Sequence, residues 1–312
     1  MIVKSKFGPY DLYTLSNEDL EVSVTTYGAT WMSLKYKGEE MITPYRTVEA
    51  LKEGKGFLCK GVGRYANRIG GAAFDLDGKH IVLPANEGKN QLHGGPGAYD
   101  SRVWEAEIVQ DENGKGASVE KLKMSIFSPD GDCGFPGNLT AAMVFSLVGS
   151  TFRIEFLGET DAPTVYAPTV HPYFNLGCKG SILDAELQMD AAGHLDVDAE
   201  LIPTGKILPC EGKFDFSVKK RISVDFDDAF ICPGNYCCTL EMNGYAMEVR
   251  TDMPALQIYS GSGMPAPYSP NDGIAIEPEY YPDSPNHADF PSTVLRPGDC
   301  FCKYVEYDFS KL

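Results

Sequence analysis

Apolar and polar residues alternate with a period of two along much of this chain. Leu122, Met124 and Ile126 alternate with Lys121, Lys123 and Ser125, and Phe152, Ile154 and Phe156 alternate with Arg153 and Glu155. Successive side chains on a strand point to opposite faces, so each run predicts a strand with one buried face. Residues 141–148, 246–251, 255–260 and 303–308, rich in Val, Ile, Phe and Tyr, predict further strands. Ile274-Ala275-Ile276 predicts another, with Glu277 at its end ahead of Pro278. Helical spacing is confined to 47–53, Thr-Val-Glu-Ala-Leu-Lys-Glu, with Gly54 as a stop signal. The 32 glycines and 21 prolines cut the remainder into short pieces joined by turns, and the Gly/Pro-rich stretches at 129–137 and 261–273 are too short for linkers. The pattern predicts an all-β protein with long structured loops and few short helices, as one domain over residues 1–312.

A chain of 312 residues with 43% hydrophobic content can bury a sizeable core, and its length suits a single large β sandwich or barrel. The formal net charge of −17 argues against nucleic acid or an anionic membrane as partner, since both are polyanions. No stretch is apolar enough to span a bilayer, and the first residues lack the pattern of a signal peptide. Nine cysteines, an odd number, are scattered from Cys59 to Cys302. Neither Cys237-Cys238 nor Cys300-x-Cys302 has the spacing of a zinc knuckle. Reduced thiols of structural or incidental role in a cytoplasmic protein are expected.

Three ionisable side chains stand in largely uncharged, aromatic or Gly/Pro-rich segments. They are His93 in Asn90-Gln91-Leu92-His93-Gly94-Gly95, His171 in His171-Pro172-Tyr173-Phe174-Asn175-Leu176, and Glu277 in Ile274-Ala275-Ile276-Glu277-Pro278-Glu279. Apolar neighbours would desolvate His171 and lower its pKa, and a carboxylate closing an apolar strand costs free energy unless it is paired or used. Glu279, two residues on, shares the face of Glu277 and competes for its role. Imidazole and carboxylate together can give and take protons near neutral pH, while nearby rings offer a surface to a sugar or another flat ligand. In Gly61-Val62-Gly63-Arg64-Tyr65-Ala66-Asn67-Arg68-Ile69-Gly70-Gly71 there is no Lys-Ser/Thr and no helix start, so it is a poor phosphate loop. It is read either as a turn with solvated arginines or as a segment that sends Arg68 into a pocket as a directed donor. The run Asp225-Phe226-Asp227-Asp228 reads as a solvated turn, and His80, His194 and His287 read as surface residues.

Taken in order, these segments resemble the aldose 1-epimerase (galactose mutarotase) family over nearly the whole chain. Thr26-Tyr27-Gly28-Ala29-Thr30 opens the series, followed by the segments around Arg68 and His93. Ser128-Pro129-Asp130-Gly131 with Gly134-Phe135-Pro136-Gly137 comes next, then the segment that begins at His171. Pro282-Asp283-Ser284-Pro285-Asn286 and Leu295-Arg296-Pro297-Gly298 close it. The resemblance implies a large antiparallel β sandwich with a sugar site on one concave face. It implies Glu277 as the base at the anomeric hydroxyl and His171 as the acid at the ring oxygen. His93 assists near that oxygen, and Arg68, Asp227 and Asn67 join it as substrate-binding residues. A monosaccharide is the implied ligand of a monomer or homodimer, with no metal and no organic cofactor.

Three positions depart from the family pattern. Val170 stands where Asn is usual, Glu279 where Gln is usual, and Asp228 where His is common. Other readings remain open at this point: a hexose-6-phosphate epimerase with Arg64 or Arg68 on the phosphate, a sugar-binding or regulatory protein of the same fold without turnover, or a glycosidase that uses Glu277 and Asp227.

Overall fold

Antiparallel pairing of adjacent runs builds the architecture. The computed structural model describes residues 1–113 and 117–312, and among them three larger sheets dominate. A nine-stranded sheet has the spatial order Glu105–Asn113, Ala117–Ser128, Leu139–Val148, Thr151–Thr160, Phe301–Lys311, Tyr245–Thr251, Tyr236–Met242, Glu186–Met189 and Lys220–Arg221. A six-stranded sheet runs Tyr173–Phe174, Ile274–Glu279, Ala255–Tyr259, Asp227–Ile231, Gly193–Val197 and Pro203–Leu208. The amino-terminal residues form a five-stranded meander from Ile2–Phe7 to Glu39–Glu40.

The alternation decides which face is covered. Leu122, Met124, Ile126, Phe152, Ile154 and Phe156 all enter one large apolar core, which also takes in Trp31 and Leu34 of the meander and Leu256, Ile258, Ile274 and Ile276 of the six-stranded sheet. Trp31 meets Phe152 edge-on at 4.9 Å and Tyr307 at 5.8 Å, and Tyr307 meets Phe174 at 5.0 Å. These contacts hold the nine-stranded sheet over the other two as an antiparallel sandwich, and each buried ring or branched chain contributes roughly 1.5–3 kcal/mol. The short helix is Val48–Glu53, with the Thr47 hydroxyl accepting from the Ala50 N–H and Gly54 closing it in the left-handed conformation.

Several expectations are corrected. The strand that carries Glu277 does not stop there; it continues through Pro278 to Glu279. Its neighbour Tyr173–Phe174 pairs only with Ala275 and Ile274, so Pro278 lies beyond the end of that partner and the sheet tolerates it. His194 is buried, its ring 3.7 Å from that of Phe214 and nearly parallel to it, because the strand Gly193–Val197 turns it onto an aromatic cluster. Arg64 is not a solvated arginine but one of the largest fully buried side chains. The cysteines are free: Cys59, Cys232, Cys237 and Cys238 are buried, while Cys300 and Cys302 are exposed. No helix among the described residues is long and apolar enough to cross a membrane.

Candidate active site

The strand register places the chemistry. On the six-stranded sheet Tyr173 lies opposite Ala275, Ala275 opposite Tyr259, and Tyr259 opposite Asp227. In the next row Glu277 lies opposite Gln257, and Gln257 opposite Ala229. Since residues two apart share a face, Tyr173, Glu277, Glu279, Gln257, Tyr259 and Asp227 all project from the side opposite the apolar core. The alternate residues Phe174, Ile274, Ile276, Leu256, Ile258 and Phe230 face that core.

Over this polar face opens a cleft of about 320 Å³. Asn67, Arg68, His93, His171, Asp227 and Glu277 all line it, joined by Tyr173, Gln257 and Tyr259 from the sheet and by Phe57 and Gly263 from loops. Asp228 projects from the other face of its strand, and its Oδ2 accepts from the Asp227 N–H at 3.2 Å. Gln257, Tyr259 and Phe57 were not singled out from sequence. Gln257 had a signal there, as a polar residue inside the apolar run Ala255-Leu256-Gln257-Ile258.

His171 extends the two-stranded ribbon in which Thr169–Val170 pairs with Gly61–Val62. Its N–H donates to the Lys60 carbonyl at 2.9 Å, and its carbonyl accepts from the Cys59 N–H at 2.8 Å. Val170 points into the apolar core, so it does not orient the imidazole. The ring lies instead against Tyr173 at 5.0 Å and 27°, with Phe57 at 6.1 Å and the edge of His93 at 5.4 Å. Its Nε2 is 3.4 Å from Glu277 Oε1. Burial pushes His171 down to about 4. Burial likewise pushes Glu277 well above the carboxylate range, with Glu279 and Asp227 as further causes. Both shifts favour the uncharged forms, a neutral imidazole and a protonated carboxyl.

His93 adopts a left-handed backbone, φ 51°, between Leu92 and Gly94. Its Nδ1 accepts from the Asn67 N–H at 3.1 Å. Burial, and then His171 and Arg68, hold its pKa well below the imidazole range. Arg68 forks onto Glu87, Nε to Oε2 at 2.7 Å and Nη2 to Oε1 at 2.9 Å. Asp227 accepts from Gln257 Nε2 at 2.6 Å and is raised by burial. Arg64 stays outside the cleft, with all five donors used on the 128–136 turn and Thr164: Nε to Ser128 Oγ, Nη1 to the Pro136 carbonyl and Thr164 Oγ1, and Nη2 to the Ser128 and Pro129 carbonyls. Among the described residues no cluster of three or more His, Cys, Asp or Glu has the geometry to hold a metal ion.

The cleft lies on an antiparallel sandwich of the galactose mutarotase-like fold, and the family that the chain matches is one of isomerases. The chain belongs to the aldose 1-epimerase family: the family model described as aldose 1-epimerase matches residues 11–308. It is similar to the aldose 1-epimerase of Haemophilus influenzae, 33% identical over 96% of each chain. It is also similar to the galactose mutarotase of Bos taurus, 29% identical over 97% of this chain and 95% of that one. Among solved structures, the galactose 1-epimerase from Lactobacillus acidophilus superposes with a TM-score of 0.89 at 28% identity, covering 100% of this chain and 98% of that one.

Proposed function

We propose that this isomerase interconverts the α and β anomers of a free hexose, galactose or glucose, by acid–base ring opening and reclosure. The observation that carries the reading is the 3.4 Å approach of His171 Nε2 to Glu277 Oε1 on the floor of a cleft sized for one sugar ring. A sugar seated there donates hydroxyl hydrogen bonds to Glu277, which favour the carboxylate, and His171 takes up a proton from solvent beside that charge. Glu277 then takes the proton from the anomeric hydroxyl while His171 protonates the ring oxygen, and the C1–O5 bond breaks. Ring opening leaves Glu277 protonated and His171 neutral, the uncharged forms that their burial favours. Rotation about C1–C2 and the reverse transfers close the ring on the other face. Each partner of such an acid–base pair contributes roughly 10²–10⁴-fold.

His93 presents Nε2–H as a neutral donor towards the ring oxygen, while Arg68, Asn67 and Asp227 bind hydroxyls. Phosphorylated sugars fit less well. Arg64 has no donor to spare, Arg68 is already forked by Glu87, and acidic groups line the remaining wall. Polarimetry on freshly dissolved α-D-galactose and α-D-glucose tests the reading. Faster relaxation to the same final rotation is expected. Acceleration with a hexose 6-phosphate alone would transfer the assignment to that substrate, and binding without acceleration would make the protein a sugar receptor.

A further inference from the structure

Glu279 is a buried carboxyl that the ring-opening scheme does not use. It follows Glu277 by two residues on the same face of Ile274–Glu279 and is fully buried. Its Oε1 accepts from the Asn67 side-chain amide at 3.1 Å, and its Oε2 has no partner among the described residues. One neutral side-chain donor to a carboxyl with no exposed surface falls far short of replacing the hydration of a carboxylate.

The surroundings do not make up the difference. Arg68 is the one Arg or Lys among the residues that line the cleft, and it is already forked by Glu87. The other groups facing the two glutamates are acidic or neutral: Asp227 and Gln257 from the neighbouring strands, Tyr173 and Tyr259 on the sheet, His171 and His93 from the loops, Tyr65 beside Glu279, and Tyr307 from the nine-stranded sheet. Three carboxyls, on Glu277, Glu279 and Asp227, thus face a single cation that is already paired.

We propose that Glu277 and Glu279 carry one ionisation between them, and that Glu279 is a positioning residue whose share of it sets the pH at which Glu277 becomes a competent base. This rests on the mutarotase reading for its consequence, though not for the pairing itself. When the charge sits on Glu279, the Asn67 amide holds it and Glu277 keeps its proton, unable to accept one from a sugar. When it sits on Glu277, Glu279 is a neutral acid that adds no repulsion. The directions of titration agree: burial, above all, pushes Glu279 up to about 8, and Glu279 is the leading charged neighbour that raises Glu277. Asn67 ties the pair to the rest of the site, because its N–H goes to His93 Nδ1 and its Oδ1 takes the Arg68 N–H at 2.9 Å.

Glu279→Gln keeps an oxygen for the Asn67 amide while removing the competing ionisation. Its expected signature is a shift of the acid limb of kcat/KM to lower pH by about one unit, since that limb reports the free enzyme. A Glu279 that merely filled space would leave the limb in place, and a superimposable profile would overturn the proposal. The protonated-carboxyl stretch in the infrared tests the pair without turnover. A buried band is expected in the wild-type protein at neutral pH, and it titrates at lower pH in Glu279→Gln. If the variant does not fold, the wild-type spectrum still decides, because no such band at neutral pH overturns the pairing. Wild-type protein that shows the band but does not speed mutarotation would sink the functional reading and leave the pair standing.

Discussion

Asn67 and His93 exchange two hydrogen bonds: the Asn67 N–H donates to His93 Nδ1 at 3.1 Å, and the His93 N–H donates to the Asn67 carbonyl at 3.0 Å. An Nδ1 that accepts leaves the proton of a neutral imidazole on Nε2, so the exchange fixes the tautomer as well as the ring. Both residues sit at positive φ, 61° for Asn67 and 51° for His93, where the paired backbone holds them. His93 is therefore expected to act as a fixed neutral donor and not as a titrating acid. His93→Ala is expected to lower kcat by on the order of 10²-fold, the usual cost of removing one preorganised donor. The acid limb of its pH profile should stay close to the wild-type position; a lost or displaced limb would make His93 a proton-transfer group.

Glu277→Gln is expected to reduce kcat by roughly 10²–10⁴-fold while sparing most of the sugar affinity, since Arg68, Asp227 and His93 remain in place. His171→Asn should do nearly the same. Polarimetry gives the rates and calorimetric titration the affinities. On the proposed scheme the acid limb of the wild-type protein belongs to Glu277, the base that must be deprotonated to accept a proton. Burial and its acidic neighbours move that limb above the ordinary carboxylate range. Full activity in Glu277→Gln would pass the role of base to Glu279.

The two buried histidines of the cleft, His93 and His171, are expected to make stability fall towards acid. For His171 the unfolded chain takes up a proton near the ordinary value of 6.5, while the folded protein refuses it down to about 4. Its stabilising contribution is thus present above 6.5 and is lost as the pH falls through that window, by up to about 3 kcal/mol. His93, also lowered, adds in the same sense. Thermal melts of the wild type and His171→Asn across the window should show a flatter dependence of Tm on pH in the variant. Parallel curves would mean that His171 titrates normally in the folded state.

Much of this site was legible in the residues because the strand period is rigid. Glu277 and Glu279 share a face by counting alone, and the core alternation of residues 152–156 locates the sandwich. What sequence could not supply was contact between distant segments. His194 carries no local sign of the Phe214 ring, twenty residues on, that buries it. Gln257 becomes a cleft residue only because register sets it opposite Glu277. Pro278 reads locally as a strand terminator and is overruled by the short reach of the neighbouring strand. Likewise Glu87, unremarkable in its turn, decides what Arg68 can offer a ligand.

Arg64 shows most sharply how burial reverses a local reading. In a glycine-rich segment it looks like a solvated or phosphate-binding side chain. In the fold its five donors reach Ser128, Pro129, Pro136 and Thr164, and its guanidinium lies 5.9 Å from the Phe135 ring. Three of those acceptors are main-chain carbonyls of the 128–136 turn, which the guanidinium ties together, and the Pro129 carbonyl also accepts from the Asp132 N–H at 3.0 Å. Lysine carries its donors on one atom and cannot fork across such a spread. Arg64→Lys should therefore destabilise the protein by roughly 2–4 kcal/mol, read from urea unfolding, through the acceptors it strands. Because Arg64 does not line the cleft, KM for the sugar in the folded protein should change little. A variant of wild-type stability with weakened sugar binding would place Arg64 in the site and revive the phosphate reading.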